Sequence, residues 1–248
     1  MLKPTILRPI ALAAAVLVPG MAHATTVSIA FNPAHFTNST TIDNSYFPLV
    51  PGTTFTYEAD TPDGCEVDVM YVTYDTRTID GVEAVAVHDQ VFDGETCTTA
   101  PAALTEDTTD YYAQDDAGNV WYLGEDTFEC QGAGNCTPAE GGWIAGVGGA
   151  QPGIIMLASP RSGDRYKQEY LAGVAQDQAL VTALGVTAKM SRDDAYQSSY
   201  SNCIVTKEWT VLEPGAIEFK TYCPGVGNVL TVDATTGERS ELVSVTAE

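Results

Sequence analysis

Asp110 and Glu125 close the two ends of the stretch DYYAQDDAGNVWYLGE and are the residues whose spacing first suggests chemistry. Taking Ala117-Gly118 as a two-residue turn sets Asp116 opposite Asn119, Gln114 opposite Trp121, Tyr112 opposite Leu123 and Asp110 opposite Glu125. Strand alternation then places Asp110, Tyr112, Gln114, Trp121, Leu123 and Glu125 on one face. Opposed carboxyl groups have Cβ atoms roughly 5 Å apart and repel when both are ionised. Water at the hairpin's open end is the first expectation for relief; a basic neighbour such as Arg165 or Lys167, a shared proton or a cation are the others. A cation would make Asp110 and Glu125 metal ligands, with calcium as the cofactor, because hard divalent ions take carboxylate oxygens. The stretch is not an EF-hand loop: counted from Asp115, the sixth position is Val120, where glycine is required.

Aromatic side chains form the second candidate. Tyr112, Trp121, Trp143 and Tyr170, with Tyr122 beside them, have the size and polarity to line a ligand cavity or stack on a sugar ring. Core packing is the competing role for the same residues. Other chemistries are poorly supplied. Beyond His23, only His35 and His88 are available, no G-x-S-x-G elbow accompanies them, and His88 alternates with Val87 as an ordinary strand residue would. Two histidines cannot make the usual three-ligand zinc site. No phosphate-binding loop or dinucleotide fingerprint is present, and the glycine-rich 141–153 stretch lacks the GK[ST] ending. No catalytic residue is assigned.

The elements that must hold these residues are strands. CEVDVMYVTYDT, VEAVAVHDQVF, VWYLGE, YKQEY, CIVTKEWTVL and AIEFKTYC alternate with period two, and Asp80-Gly81, Ala117-Gly118, Glu213-Pro214-Gly215 and Thr236-Gly237 punctuate them. In the first of these runs Asp68, Met70 and Val72 share a face. Val174 to Leu184 is compatible with a helix, although its Val and Thr content also permits a strand. GGWIAGVGGAQPG (141–153) reads as a long loop crossing the sheet, anchored by Trp143. The fold expected is mainly β, an antiparallel curved sheet, half-barrel or open barrel built from successive hairpins.

Cys65 and Cys97 lie symmetrically about Gly81, Cys203 and Cys223 about Glu213, and Cys130 and Cys136 flank QGAGN. Equal offsets across a turn bring residues together in antiparallel hairpins, so the pairs Cys65–Cys97, Cys130–Cys136 and Cys203–Cys223 are predicted as disulfides. Residues 1–24 read as a signal peptide: Lys3 and Arg8, an apolar core too short to span a bilayer, then Ala22-His23-Ala24. Export and an even cysteine count agree, so a periplasmic or secreted location is expected. Residues 25–45 are expected to be an extended N-terminal arm and 46–248 a single β domain. Without Lys3 and Arg8, 9 basic residues face 33 acidic ones, a net charge of −24. That excludes nucleic acid and anionic membranes as natural partners, and no transmembrane segment is expected.

Several phrases are specific in combination: YFPLVPG (46–52), GNVWYLGE (118–125), GAQPGII (149–155), QEY (168–170), WTVLEPG (209–215) and YCPGVG (222–227). Together they resemble an uncharacterised family of exported bacterial proteins and lipoproteins across nearly the whole exported chain. The resemblance also extends to half-barrel proteins built from hairpins, some of which handle apolar or envelope ligands. It implies a binding protein for a small or amphipathic molecule or a glycan, and it carries no catalytic residues. The chain departs from the pattern in lacking a lipid-attachment cysteine and in having Gln176-Asp177 where relatives often have Glu-Asp. Two alternatives stand beside this expectation. One is a carboxylate-dependent hydrolase or lyase acting on an extracellular polymer; the other is a calcium-stabilised, surface-associated structural protein.

Overall fold

A computed structural model describes residues 24–97, 103–132 and 134–248; the expected leader lies outside them except for Ala24. The first strands are β1 (Thr25–Thr26), β2 (Thr53–Thr61), β3 (Gly64–Ile79), β4 (Val82–Gly94), β5 (Ala103–Gln114) and β6 (Val120–Cys130). Shorter ones follow: β7 (Cys136–Pro138), β8 (Trp143–Ile144), β9 (Gln151–Met156), β10 (Asp164–Lys167) and β11 (Glu169–Tyr170). The chain ends with β12 (Asp177–Lys189), β13 (Ser199–Thr210), β14 (Ile217–Cys223), β15 (Gly227–Asp233) and β16 (Arg239–Ala247).

They form one mainly antiparallel sheet in the order β1-β10-β12-β13-β14-β15-β16-β2-β3-β4-β5-β6-β9-β11, with β7 and β8 also paired to β6. The sheet stays open, as a curved sheet or half-barrel would. Alternation supplies the reason: along β2, Thr53, Phe55, Tyr57 and Ala59 are buried while the residues between them are half-buried. The pairings Tyr57 with Leu242 and with Asp68, Met70 with Asp89, and Val87 with Asp110 carry one inner face across five strands. The main core packs on that face, through Val72, Val87, Tyr112, Ile204, Tyr222 and Leu242.

Two segments differ from expectation. Val174 to Leu184 contains no helix; β12 begins at Asp177, where Ala179 and Val181 turn inward at period two. The 141–153 segment is not one long loop, because Trp143–Ile144 pair with β6 and Gln151 opens β9. Trp143 is nevertheless buried, as an anchor would be. Residues 25–45 are stitched to the sheet. Thr25 and Thr26 pair in parallel with β10, the main-chain N–H and hydroxyl of Thr37 both donate to Asp116 Oδ1, and Phe31 and Phe36 pack on Trp121.

The three disulfides are Cys65–Cys97, Cys130–Cys136 and Cys203–Cys223. They fit an oxidising compartment. Among the described residues no helix is long and apolar enough to cross a membrane.

Candidate functional site

The β5–β6 hairpin keeps the outer half of its expected register. Asp110 faces Glu125 and Tyr111 faces Gly124, but Tyr112 then faces Tyr122, Ala113 faces Trp121 and Gln114 faces Val120. Asp115 explains the change. Its carboxylate accepts from the main-chain N–H of Ala117 and Asn119, from Asn119 Nδ2 and from Trp121 Nε1. This closes a three-residue loop over Asp116–Gly118, and the extra residue Leu123 restores the register further out. Trp121 therefore leaves the Asp110 face, and Tyr122 takes its place.

Asp110 does not fray into water. It is buried at 7 % exposure, because the hairpin continues outward to the Glu106–Glu129 pair. The Tyr122 hydroxyl donates to Asp110 Oδ1 at 2.5 Å, and Tyr122 stacks on Tyr112 with ring centroids 4.9 Å apart. Burial raises the Asp110 carboxyl well above the usual range; the charges of Asp89 and Glu125 add to this, and the Tyr122 bond opposes it. Glu125 is also raised, by burial first, while the Thr127 hydroxyl donates to it at 2.9 Å. Both directions favour a retained proton as what relieves the opposition. Arg165 and Lys167 do not: Arg165 binds Gln178 and covers Trp209, and Lys167 covers the Tyr170 ring at 3.8 Å. Among the described residues, no three His, Cys, Asp or Glu side chains converge as metal ligands.

The inner face holds a better-formed site. A cavity of about 160 Å³ lies under the strap 46–52, walled by Phe47, Leu49, Phe55, Met70, Ile155 and Val226. Its polar surface comes from Asp68, Asp89, Lys220, Tyr112 and Tyr222. The strap is held by the Ile42–Leu49 bridge and by Gly225 N–H donating to Ser45 O at 2.8 Å. Phe47 lies edge-on to Tyr112 at 5.4 Å and tilted against Tyr222 at 6.2 Å. Behind Ile155, Gly153 must lack a side chain, since a Cβ there would meet the Gln168 carbonyl at 2.3 Å.

Asp68 and Asp89 lie deep in the protein with carboxyl groups in hydrogen-bonding reach of each other. Each presents an edge to the cavity, so as residues they are half-buried, yet Oδ1 of each is out of solvent with no partner among the described residues. Burial raises both; the charge of Asp89 adds to the rise at Asp68, while at Asp89 the bond from Asp68 and the charge of Lys220 oppose it. Two carboxylates this close cannot both ionise, so the pair holds one proton between them. Lys220 Nζ sits 3.4 Å from both Glu208 Oε2 and Glu218 Oε2, and these carboxylates hold it charged against the effect of burial.

Of the aromatic candidates only Tyr112 lines this cavity. Trp121 borders a more open hollow of about 480 Å³ beneath the N-terminal arm, and Trp143 and Glu125 border another of about 590 Å³. Tyr170 sits on β11 at the end of the strand order. Trp143 donates to Glu169 at 2.8 Å, a structural bond between buried groups. His88 contacts Asp107 at 2.5 Å, away from the cavity. Asp68, Asp89 and Lys220 were not among the sequence candidates. One signal pointed to Asp68, its shared alternation with the apolar Met70 and Val72. Comparison with family models, curated proteins and solved structures returned no match.

Proposed function

We propose that this is an exported, non-enzymatic binding protein, periplasmic or secreted, that holds a small amphipathic ligand, or one end of a larger one, in the cavity under the 46–52 strap. One observation carries the reading. YFPLVPG supplies Phe47, Pro48 and Leu49, GAQPGII supplies Ile155, and YCPGVG supplies Tyr222, Val226 and Gly227, so three separate motifs meet at one cavity. About 150 Å³ suffices for a benzene-sized molecule, so the space suits a single ring or short alkyl group beside a polar head. Aromatic and aliphatic walls with a few polar groups are the usual composition of such sites.

Calorimetric titration with benzyl alcohol, which matches the volume, tests this. Met70→Phe narrows the cavity and should weaken binding at least tenfold. Equal affinity in both proteins, or no binding of the alcohol, ammonium or carboxylate form of the benzyl ligand to the native protein, sinks the proposal.

The coupled Asp68–Asp89 pair favours a second reading, the carboxylate-dependent hydrolase or lyase, since one protonated and one ionised carboxyl are what general acid–base catalysis uses. A cavity of about 160 Å³ admits no polymer chain, so this reading ranks below binding. Loss of turnover in both Asp68→Asn and Asp89→Asn, in a screen of extracellular polysaccharides, would reverse that order.

A further inference from the structure

We infer that the ligand of this cavity is an organic cation: a primary or secondary ammonium group on a compact apolar body, with its N–H donors directed at Asp68 and Asp89. The inference rests on the binding role proposed above and adds the chemical class. Three observations converge on it.

The first is the pair of orphaned acceptors. Buried polar atoms are almost always partnered, and beyond the contact between their own carboxyl groups Asp68 Oδ1 and Asp89 Oδ1 have no partner among the described residues. Both residues line the cavity, so the missing donors must come from within the pair or from what enters the space. An ammonium offers two or three donors where a single shared proton offers one.

The second is the aromatic surround. Phe47, Phe55, Tyr57, Tyr112 and Tyr222 all line the same cavity. Their ring faces attract cations, and desolvation strengthens the attraction. Tyr57 and Tyr222 have their hydroxyls committed elsewhere, donating to Asn228 O at 3.1 Å and Glu208 Oε1 at 3.0 Å, which leaves the rings as their contribution.

The third is charge. Lys220 is the one cationic residue lining the cavity among the described residues, and it is engaged by Glu208 and Glu218. An anion would therefore face the Asp pair with no free counter-charge, whereas a cation meets a site with acid to spare.

Proton balance gives the signature. The empty pair holds one proton on two carboxyl groups. When the ammonium arrives already protonated, its N–H groups donate to both carboxylates, and the shared proton leaves to solvent. No covalent bond forms or breaks. Binding should therefore release up to one proton and tighten as pH rises, until the ammonium itself loses its proton.

The test is calorimetry of the native protein with benzylammonium, benzyl alcohol and benzoate, three ligands of similar size and different charge, in phosphate and in HEPES, neither of which carries a primary or secondary ammonium. The expected result is benzylammonium binding at least tenfold more tightly than benzyl alcohol, no benzoate binding, and a buffer-dependent heat matching proton release. Asp89→Asn, or Asp68→Asn should the first variant fail to fold, should erase the preference for ammonium while still binding the alcohol. Alcohol binding as tight as ammonium binding overturns the cation assignment and leaves the binding role standing. Failure of all three ligands overturns both. Full retention of the preference in the folded variant overturns the role of the carboxyl pair.

Discussion

Replacing Glu169 by Gln should make the protein more stable at neutral pH and flatten its pH dependence. Glu169 is buried at 8 % exposure and accepts the Trp143 indole N–H at 2.8 Å. Its carboxyl is pushed from 4.5 up to about 8, by burial first and then by the charges of Asp177 and Glu125, with the Trp143 bond opposing. A carboxyl whose pKa is higher folded than unfolded binds its proton more tightly when folded. Its contribution is greatest below pH 4.5 and is lost as pH rises towards 8. At about 1.4 kcal/mol per pKa unit, the loss between pH 4 and pH 7 is about 3 kcal/mol.

Gln reproduces the protonated acid: Oε1 can still accept from Trp143, and the amide can donate to the Asp177 side chain, which lies in hydrogen-bonding reach. The expected outcome is near-equal stability of the two proteins at pH 4 and an advantage of about 3 kcal/mol for Glu169→Gln at pH 7. Urea unfolding at pH 4, 5.5, 7 and 8.5, followed by tryptophan fluorescence, measures both curves. Asp68, Asp89, Asp110 and Glu125 are raised too, so both proteins should weaken as pH rises. The difference between the curves reports Glu169 together with its effect on the neighbouring Asp177 and Glu125. Parallel curves would refute the reasoning, because they would mean Glu169 ionises alike in the folded and unfolded chain.

Two further substitutions test the other buried acids. Glu241 is fully buried and accepts from Ser191 N–H and Oγ–H, Arg192 N–H and Arg239 Nε. Burial works against its charge, but these bonds outweigh it and lower its pKa. Glu241→Gln should cost about 3 kcal/mol at pH 7, with the deficit shrinking as pH falls below about 4.5, opposite in sign to Glu169; urea midpoints at pH 3 and 7 check it. Asp115→Ala strips the acceptor from Asn119 and Trp121 at once. With buried donors left unpaired it should cost about 3 kcal/mol, read as a fall in urea midpoint, whereas a loss near zero would mean water replaces the carboxylate.

The strands and disulfides were legible because both follow local rules. Period-two burial marks the strands, and cysteines equidistant from a turn meet across a hairpin, as Cys203 and Cys223 do. The β5–β6 register was legible only outside its bulge. Nothing in DYYAQDDAGNVWYLGE distinguishes a two-residue from a three-residue loop until Asp115 is seen bonding Trp121 Nε1, and one added residue exchanges the faces of Trp121 and Tyr122. The cavity acids were hidden for a different reason. Asp68 and Asp89 stand on adjacent strands, but Lys220 joins them only after the sheet curves round between β4 and β14. Curvature of a whole sheet is a sum of small twists that no short stretch of sequence encodes.

The inner acids divide by how fully their oxygens are engaged, and that division separates scaffold from site. Asp110 has the Tyr122 hydroxyl, Glu169 the Trp143 indole, Glu208 the hydroxyls of Thr206 and Tyr222, and Glu241 a shell of four donor groups. Each of these carboxyls is met by a partner the fold itself supplies. Asp68 and Asp89 are the exception: beyond each other's carboxyl group, Oδ1 of neither has a partner among the described residues. A fold that partners its other buried acids so consistently could have met these two with a serine or threonine on a neighbouring strand. It places them instead at the wall of a cavity closed by three sequence motifs. Local conflict kept where the neighbouring buried acids are partnered is the mark of a site that a ligand completes.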